Sequence, residues 1–149
     1  LAAERHRKVL VSGHRMESRF DSAEETIAMA TMYTANHYNV VGILSLTESG
    51  TTAKLMSRIS SGIPIYGVTR HGETQRRMSL YRGVYPLAYD ATQVPRGDVN
   101  RAVIAELESR GLVKDGDRLI ITKGDLSGVE GGTNSMKIVK VGDVVGERD

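Results

Sequence analysis

The sequence has no cysteine and no tryptophan, and aromatic residues make up only 5% of its 149 residues. Without cysteine, the chain cannot form a disulfide, use a thiol nucleophile or build a cysteine-ligated zinc site. The four histidines, at positions 6, 14, 37 and 71, lack the spacing of metal ligands, so we expect no metal site. No apolar run approaches the roughly 20 residues of a membrane-spanning helix, so we expect no membrane partner.

Charge is nearly balanced but unevenly distributed. The formal net charge is +2, yet residues 1–20 alone carry five basic and two acidic side chains, which leaves the remainder slightly acidic. A nucleic-acid-binding surface needs basic residues clustered on one face, with aromatic residues among them if it stacks bases, and the body of this chain has no such stripe. The charged opening is not a secretory signal and lacks an initiating Met. We therefore expect no nucleic-acid partner, a cytoplasmic location, and a linker over residues 1–20 that belongs to a longer protein.

Helical and strand patterns alternate along residues 21–149. The pattern predicts a first helix that begins at a cap at Asp21 and ends near 37–39, and further helices over 51–60, 73–80 and 98–111, the last of which Asp98 can cap. It predicts strands over 40–46, 63–68, 84–89, 118–122 and 136–141. The scattered methionines are expected to fill the core, His71 to lie in a solvated loop, and Arg76 and Arg77 to lie on a solvated helix face. Most connections can hold a crossover helix, which favours a mostly parallel α/β sheet with helices on both faces, a three-layer sandwich. The glycine-rich connection over 123–133 cannot, so the fifth strand is predicted to be antiparallel.

The turn after the first predicted strand has the composition of a phosphate cradle. A strand-to-helix turn in such a sheet lies where ligands bind, and free N–H groups there attract anions. Glycine lets the main chain approach closely, and hydroxyls donate to phosphate oxygens. The candidate phosphate-binding residues are Thr47, Ser49, Gly50, Thr51 and Thr52.

A simpler interpretation of this turn stays open, in which Ser49 or Thr51 only caps the following helix. Glu48 is an objection to phosphate binding, because a carboxylate that faces the anion repels it. We therefore expect its side chain to turn outward.

A second candidate segment follows the fourth predicted strand. Its glycines allow it either to close over a ligand or to serve only as a flexible connection, and composition alone does not separate the two. The candidate residues are Lys123, Gly124, Asp125, Ser127, Gly128, Gly131 and Gly132.

Several motifs together resemble the C-terminal domain of pyruvate kinases, in consistent order from about residue 21 to 141. They are TESGTTA at 47–53, SRISSGIPI at 57–65, VTR at 68–70, LYRGV at 80–84 and GTNSM at 132–136. Residues 1–20 resemble the segment that joins this domain to the catalytic barrel.

The resemblance implies a regulatory and tetramer-building domain of an enzyme that transfers phosphate from phosphoenolpyruvate to ADP, giving pyruvate and ATP. The catalytic barrel, with its Mg and K requirement, would lie upstream, so this piece holds no catalytic residue and no cofactor and is expected to be inactive alone. The hydroxyl turn at 47–52 matches the family's effector phosphate site, and residues 123–133 match its mobile effector loop.

One departure concerns the effector. Relatives activated by fructose 1,6-bisphosphate carry a Trp and an Arg before the last long helix, whereas this chain has no Trp and places Val99 at the Arg position, although Arg96 or Arg101 could substitute for it. A monophosphate such as glucose 6-phosphate, ribose 5-phosphate or AMP is therefore favoured as the effector. The motif sequences resemble those of bacterial members of the family.

Two other functions stay open. The pattern of Thr47, Ser49, Gly50 and Thr52 after an early strand also fits the phosphate loop of a flavodoxin-like, FMN-binding electron carrier. The third possibility is a purely structural assembly domain in which the turn is only a helix cap.

Overall fold

One five-stranded sheet lies between two layers of helices. The computed structural model describes residues 19–59, 61–124 and 132–143. Within these ranges the elements are, in chain order, α1 (Ala23–His37), β1 (Gly42–Leu46), α2 (Thr51–Ser57), β2 (Ile65–Thr69), α3 (Gly72–Met78), β3 (Val84–Ala88), two short 3-10 turns (Ala91–Gln93 and Arg96–Asp98), α4 (Val99–Ser109), β4 (Arg118–Gly124) and β5 (Thr133–Lys140).

The strand order places the carboxyl ends of β1 and β4 side by side. The order across the sheet is β3-β2-β1-β4-β5. The chain moves outward from β1 to β2 and β3, in parallel, and then returns to the other side of β1 for β4. β5 pairs with β4 in antiparallel fashion, as predicted. Because the direction of winding reverses between β1 and β4, their carboxyl ends frame the crevice in which such sheets bind ligands.

Two apolar clusters fill the spaces on either side of the sheet. On one face, α4 packs Val103 and Leu107 against Leu44 and Ile121. On the other face, α1, α2 and α3 contribute Met32, Met56 and Met78, all fully buried, which agrees with the prediction that methionines fill the core. The three-layer sandwich predicted from the alternating pattern is therefore confirmed.

The main corrections concern element ends. The second helix ends at Ser57 rather than 60. The β4–β5 ladder reaches further than predicted, because Lys123 pairs with Ser135 and Gly124 with Thr133 across the hairpin. Lys123 and Gly124 therefore belong to a strand rather than to the glycine-rich connection. The linker predicted over 1–20 lies almost wholly outside the described residues.

The first helix is capped one residue later than predicted. Ser22 is the N-cap, and its hydroxyl oxygen accepts a hydrogen bond of 3.1 Å from the main-chain N–H of Glu25. The acidic first turn, Glu24 and Glu25, complements the partial positive charge of the helix start. Asp98 at the start of α4 was also predicted to cap, but its carboxylate makes no cap bond and pairs with Arg101 instead, at 3.3 Å.

Replacing Ser22 by alanine should destabilise the domain by about 1 kcal/mol, because it removes the acceptor for a first-turn N–H. Asp21→Ala, one residue earlier and without the cap bond, should change stability by less than about 0.5 kcal/mol. Urea unfolding of the two variants, followed by circular dichroism, measures the difference. An equal loss in both would show that Ser22 is not the cap.

Candidate functional site

The turn between β1 and α2 is closed by its own side chains. Thr47 Oγ1 accepts a 2.8 Å hydrogen bond from the N–H of Gly50, and the N–H of Thr47 donates to the carbonyl of Val68 on β2 at 3.0 Å. Gly50 has a φ of 83°, in the left-handed region where a side chain is strained. The glycine in this motif is therefore required by the turn itself.

Ser49 and Thr51 carry two hydroxyls of the turn that lie toward the surface, since Ser49 is half-buried and Thr51 is exposed. Their Oγ atoms lie 2.9 Å apart, and Ser49 Oγ also accepts a 3.3 Å bond from the N–H of Thr51. The N-cap position of α2 is Gly50, which has no side chain to cap it. The simpler interpretation, that the side chain of Ser49 or Thr51 is the N-cap of this helix, is therefore wrong, because Gly50 holds that position. Both hydroxyls can contact a bound ligand.

Thr52 faces the interior and connects three elements. Its side chain is fully buried, and its Oγ1 lies 3.0 Å from Glu24 Oε2 in α1 and 3.0 Å from Thr133 Oγ1 at the start of β5. Glu24 and Thr133 are themselves only 8% and 5% exposed. The hydroxyl predicted to hold phosphate is thus engaged in a buried contact between α1, α2 and β5.

Two further hydroxyls are buried at the same ends of β1 and β4. Ser45 and Thr122 are cross-strand partners, and both are fully buried. Neither Ser45 Oγ nor Thr122 Oγ1 has a hydrogen-bond partner within the described ranges. The sheet interior is therefore polar rather than apolar near the β1–β4 crevice.

The sequence predicts that the Glu48 side chain turns outward, but the structure does not place it in solvent. Its side chain is only 13% exposed, and Oε2 contacts both Arg70 Nε, at 3.3 Å, and His71 Nε2. Arg70 and His71 follow β2, so they draw the carboxylate toward the side of β1 that lies away from β4. His71 is a solvent-exposed loop residue, as predicted, with a side chain 46% exposed, and it also contacts this carboxylate.

Two side chains of helix α3 donate hydrogen bonds to main-chain carbonyls of the same turn. Thr74 Oγ1 donates to the carbonyl of Glu48 at 2.8 Å, and Arg77 Nη2 donates to the carbonyl of Ser49 at 3.1 Å. Arg77 was interpreted from sequence as part of a solvated helix face. Its contact with residue 49 could not be found from local pattern, since the two residues lie 28 positions apart.

The glycine-rich segment is described only at its ends. Gly132 lies next to Gly124, where a Cβ on Gly124 would come within 2.3 Å of the Gly132 carbonyl oxygen, so the hairpin needs glycine at 124. Lys123 and Gly124 lie in β4. The other candidates, Asp125, Ser127, Gly128 and Gly131, lie outside the described residues, so their predicted part in ligand binding stays a prediction.

The described ranges offer neither a cluster of metal-binding side chains nor a membrane-spanning helix. There, no three or more His, Asp or Glu side chains are grouped so that they could hold a metal ion. Across the same ranges, no helix combines the length and the apolar character that crossing a bilayer requires.

Comparison with known proteins decides the family. The family model described as "Pyruvate kinase, alpha/beta domain" matches residues 25–139. The chain belongs to this family. The resemblance seen in the motifs is thereby confirmed, whereas the alternative of a flavodoxin-like electron carrier has no support.

Bacterial pyruvate kinases are among the relatives of this pyruvate kinase domain. It is 42% identical to a pyruvate kinase of Buchnera aphidicola over 93% of the chain, and 42% identical to pyruvate kinase II of Salmonella typhimurium over 95% of the chain. A Staphylococcus aureus pyruvate kinase is 35% identical over 97% of the chain. The chain spans about 29% of the length of the first two relatives and 24% of the third.

Proposed function

We propose that this chain is the effector-binding and assembly domain of a longer, cytoplasmic pyruvate kinase. The parent enzyme transfers phosphate from phosphoenolpyruvate to ADP on a separate catalytic domain, which would also carry the Mg and K sites. The present chain contributes regulation rather than chemistry. Family membership supports this assignment, together with the short share of each relative that the chain covers.

The observation that carries the proposal is the buried hydrogen bond between the turn after β1 and the start of β5, beside the β1–β4 crevice. The turn at 47–52 follows β1, and in the sequence the glycine-rich segment follows β4. The hydrogen bond between Thr52 and Thr133 connects the turn to the first residue of β5, directly after that segment. Hydroxyls on Ser49 and Thr51 supply donors for phosphate oxygens. An effector phosphate therefore binds at the turn, and the glycine-rich segment closes over it.

A phosphorylated monoester, such as glucose 6-phosphate, ribose 5-phosphate or AMP, is the effector that the residues favour over fructose 1,6-bisphosphate. At the start of α4, where the resemblance implies an arginine for a second phosphate, Val99 is 2% exposed and packs in the core. A buried valine offers no donor to a phosphate.

Regulation in this account works by differential binding. The effector stabilises the arrangement in which both loops hold it, and the buried contact of Thr52 with Glu24 and Thr133 passes that preference to α1 and β5. β5 is an edge strand with Ile138 46% exposed, which suits self-association. In the parent, that association produces a homotetramer.

Calorimetric titration of the chain with glucose 6-phosphate, ribose 5-phosphate, AMP and fructose 1,6-bisphosphate tests the effector site. We expect saturable binding of at least one monophosphate, weakened at least tenfold in Ser49→Ala/Thr51→Ala, because that variant removes both surface hydroxyls and spares the buried Thr52.

Ser79→Ala serves as the matched control. Within the described ranges the Ser79 hydroxyl donates to the Arg76 carbonyl at the end of α3, so its removal should leave the affinity unchanged. If none of the four ligands binds, the effector role is wrong for this chain, and a purely structural assembly domain becomes the better account.

A further inference from the structure

An acidic residue in the middle of a phosphate-binding turn needs an explanation. Glu48 lies directly between Thr47 and Ser49. Its carboxylate, if it pointed into the β1–β4 crevice, would lie beside the bound phosphate and oppose it electrostatically. The inference below rests on the function proposed above and concerns what makes that turn compatible with an anion.

The carboxylate is held by two groups that follow the neighbouring strand. Glu48 Oε2 contacts Arg70 Nε at 3.3 Å and His71 Nε2, and the Glu48 side chain is 13% exposed. The main chain is fixed as well, because Thr74 Oγ1 donates to the Glu48 carbonyl at 2.8 Å. Side chain and main chain are thus both anchored from the β2–α3 side.

The anchoring direction follows from the strand order. β2 and β4 flank β1 on opposite sides. Arg70 and His71 come immediately after β2, so a carboxylate bound to them lies on the far side of the turn from β4. The negative charge is removed from the crevice and is partly neutralised by the guanidinium.

We propose that Arg70 is a positioning residue for effector binding, which together with His71 holds the Glu48 carboxylate away from the phosphate site. Arg70 touches no effector in this account; it acts only through Glu48. Without Arg70, the carboxylate is left with the His71 contact and can rotate toward the crevice, where it lowers the affinity for any dianionic ligand. Because water screens the freed side chain, we expect the repulsion to change the affinity about tenfold, which is less than two charges fixed a few ångströms apart near a protein surface would produce.

The charge of Arg70 also acts on the Asp90 carboxyl. The pKa of the Asp90 carboxyl is lowered chiefly by the hydrogen bond from the Thr92 hydroxyl, with a smaller contribution from Arg70. A loss of affinity in an Arg70 variant could therefore reflect a local disturbance around Asp90. Rescue by a second substitution at Glu48 separates the two causes, because it leaves Asp90 as disturbed as before.

The test compares Arg70→Gln, Glu48→Gln and the double variant with the unaltered chain, using glucose 6-phosphate and inorganic phosphate as probes. We expect Arg70→Gln to weaken binding about tenfold, Glu48→Gln to bind at least as tightly as the unaltered chain, and the double variant to regain that affinity. Arg76→Gln is the matched control: it removes the same charge from α3, and none of its described ion pairs or hydrogen bonds involves Glu48.

The outcomes separate the inference from the proposed function. If the unaltered chain binds and Arg70→Gln binds equally well, or loses affinity without rescue by Glu48→Gln, the positioning role is wrong and the effector site stands. An equal loss in Arg76→Gln would assign the effect to net charge and would also overturn it. If the unaltered chain binds none of the four phosphorylated ligands or inorganic phosphate, both the effector site and this inference fall.

Discussion

Truncation of Ile120 to alanine should lower the free energy of unfolding by about 3 to 4 kcal/mol. Ile120 lies in β4, one of the central strands, and is fully buried in the cluster that α1 and α2 cover. It shares this cluster with Ile43, its register partner on β1, and with Met32 and Met56 on the helices. The cost combines the lost transfer of the removed carbons from water with the cavity that remains, since close-packed surroundings relax only partly.

The residue across the hairpin provides a matched control. Ile138 in β5 is the register partner of Ile120 but is 46% exposed. Ile138→Ala removes the same atoms from a site that water already reaches, so its cost should stay below about 1 kcal/mol. Urea unfolding at low protein concentration, where self-association does not contribute, measures both. Similar losses in the two variants would contradict the assignment of Ile120 to the sealed interior and Ile138 to the edge.

The contrast between these two isoleucines shows how far sequence patterns reach. The short apolar runs and their crossover connections predicted five strands, helices on both faces and an antiparallel last strand, because each depends on local periodicity and connection length. Which of two apolar strand residues is sealed depends on which helix covers them. That is a long-range property, and the sequence carries no local signal for it.

The candidate site divides in the same way. The hydroxyl-rich turn was recognisable because its glycine and its Thr47 bond act within three residues. The supports of that turn were not, since Arg70 and His71 lie more than 20 positions from Glu48, and Arg77 lies 28 positions from Ser49. An acidic residue in an anion-binding turn was a signal that a cation partner had to exist, but it did not say which one.

Helix caps show a smaller version of this limit. Asp21 and Ser22 are both good caps, and each has an acidic residue three positions later, so pattern alone could not choose between them. The choice depends on which residue adopts the extended conformation where the chain enters the helix, and here that residue is Ser22.

The replacement of Thr52 by valine should destabilise the domain by about 2 to 3 kcal/mol, although the side chain keeps its shape and loses only one oxygen. Among the described residues, the Thr52 hydroxyl donates a hydrogen bond to the Glu24 carboxylate, and both residues are buried. Valine would leave a buried carboxylate and the Thr133 hydroxyl without that partner, and an unsatisfied buried acceptor costs more than a made hydrogen bond contributes. Chemical unfolding followed by circular dichroism measures the loss.

Thr31 offers the control for this substitution. It is fully buried in the same layer, but among the described residues its hydroxyl donates to the sulfur of Met136, a weak acceptor, at 3.8 Å. Thr31→Val should therefore change stability by less than about 1 kcal/mol. Adding Glu24→Met to Thr52→Val removes the stranded charge, so it should recover part of the loss. If Thr52→Val is no worse than Thr31→Val, the buried contact does not bind α1, α2 and β5 together, and the path by which the proposed effector site would reach α1 is lost with it.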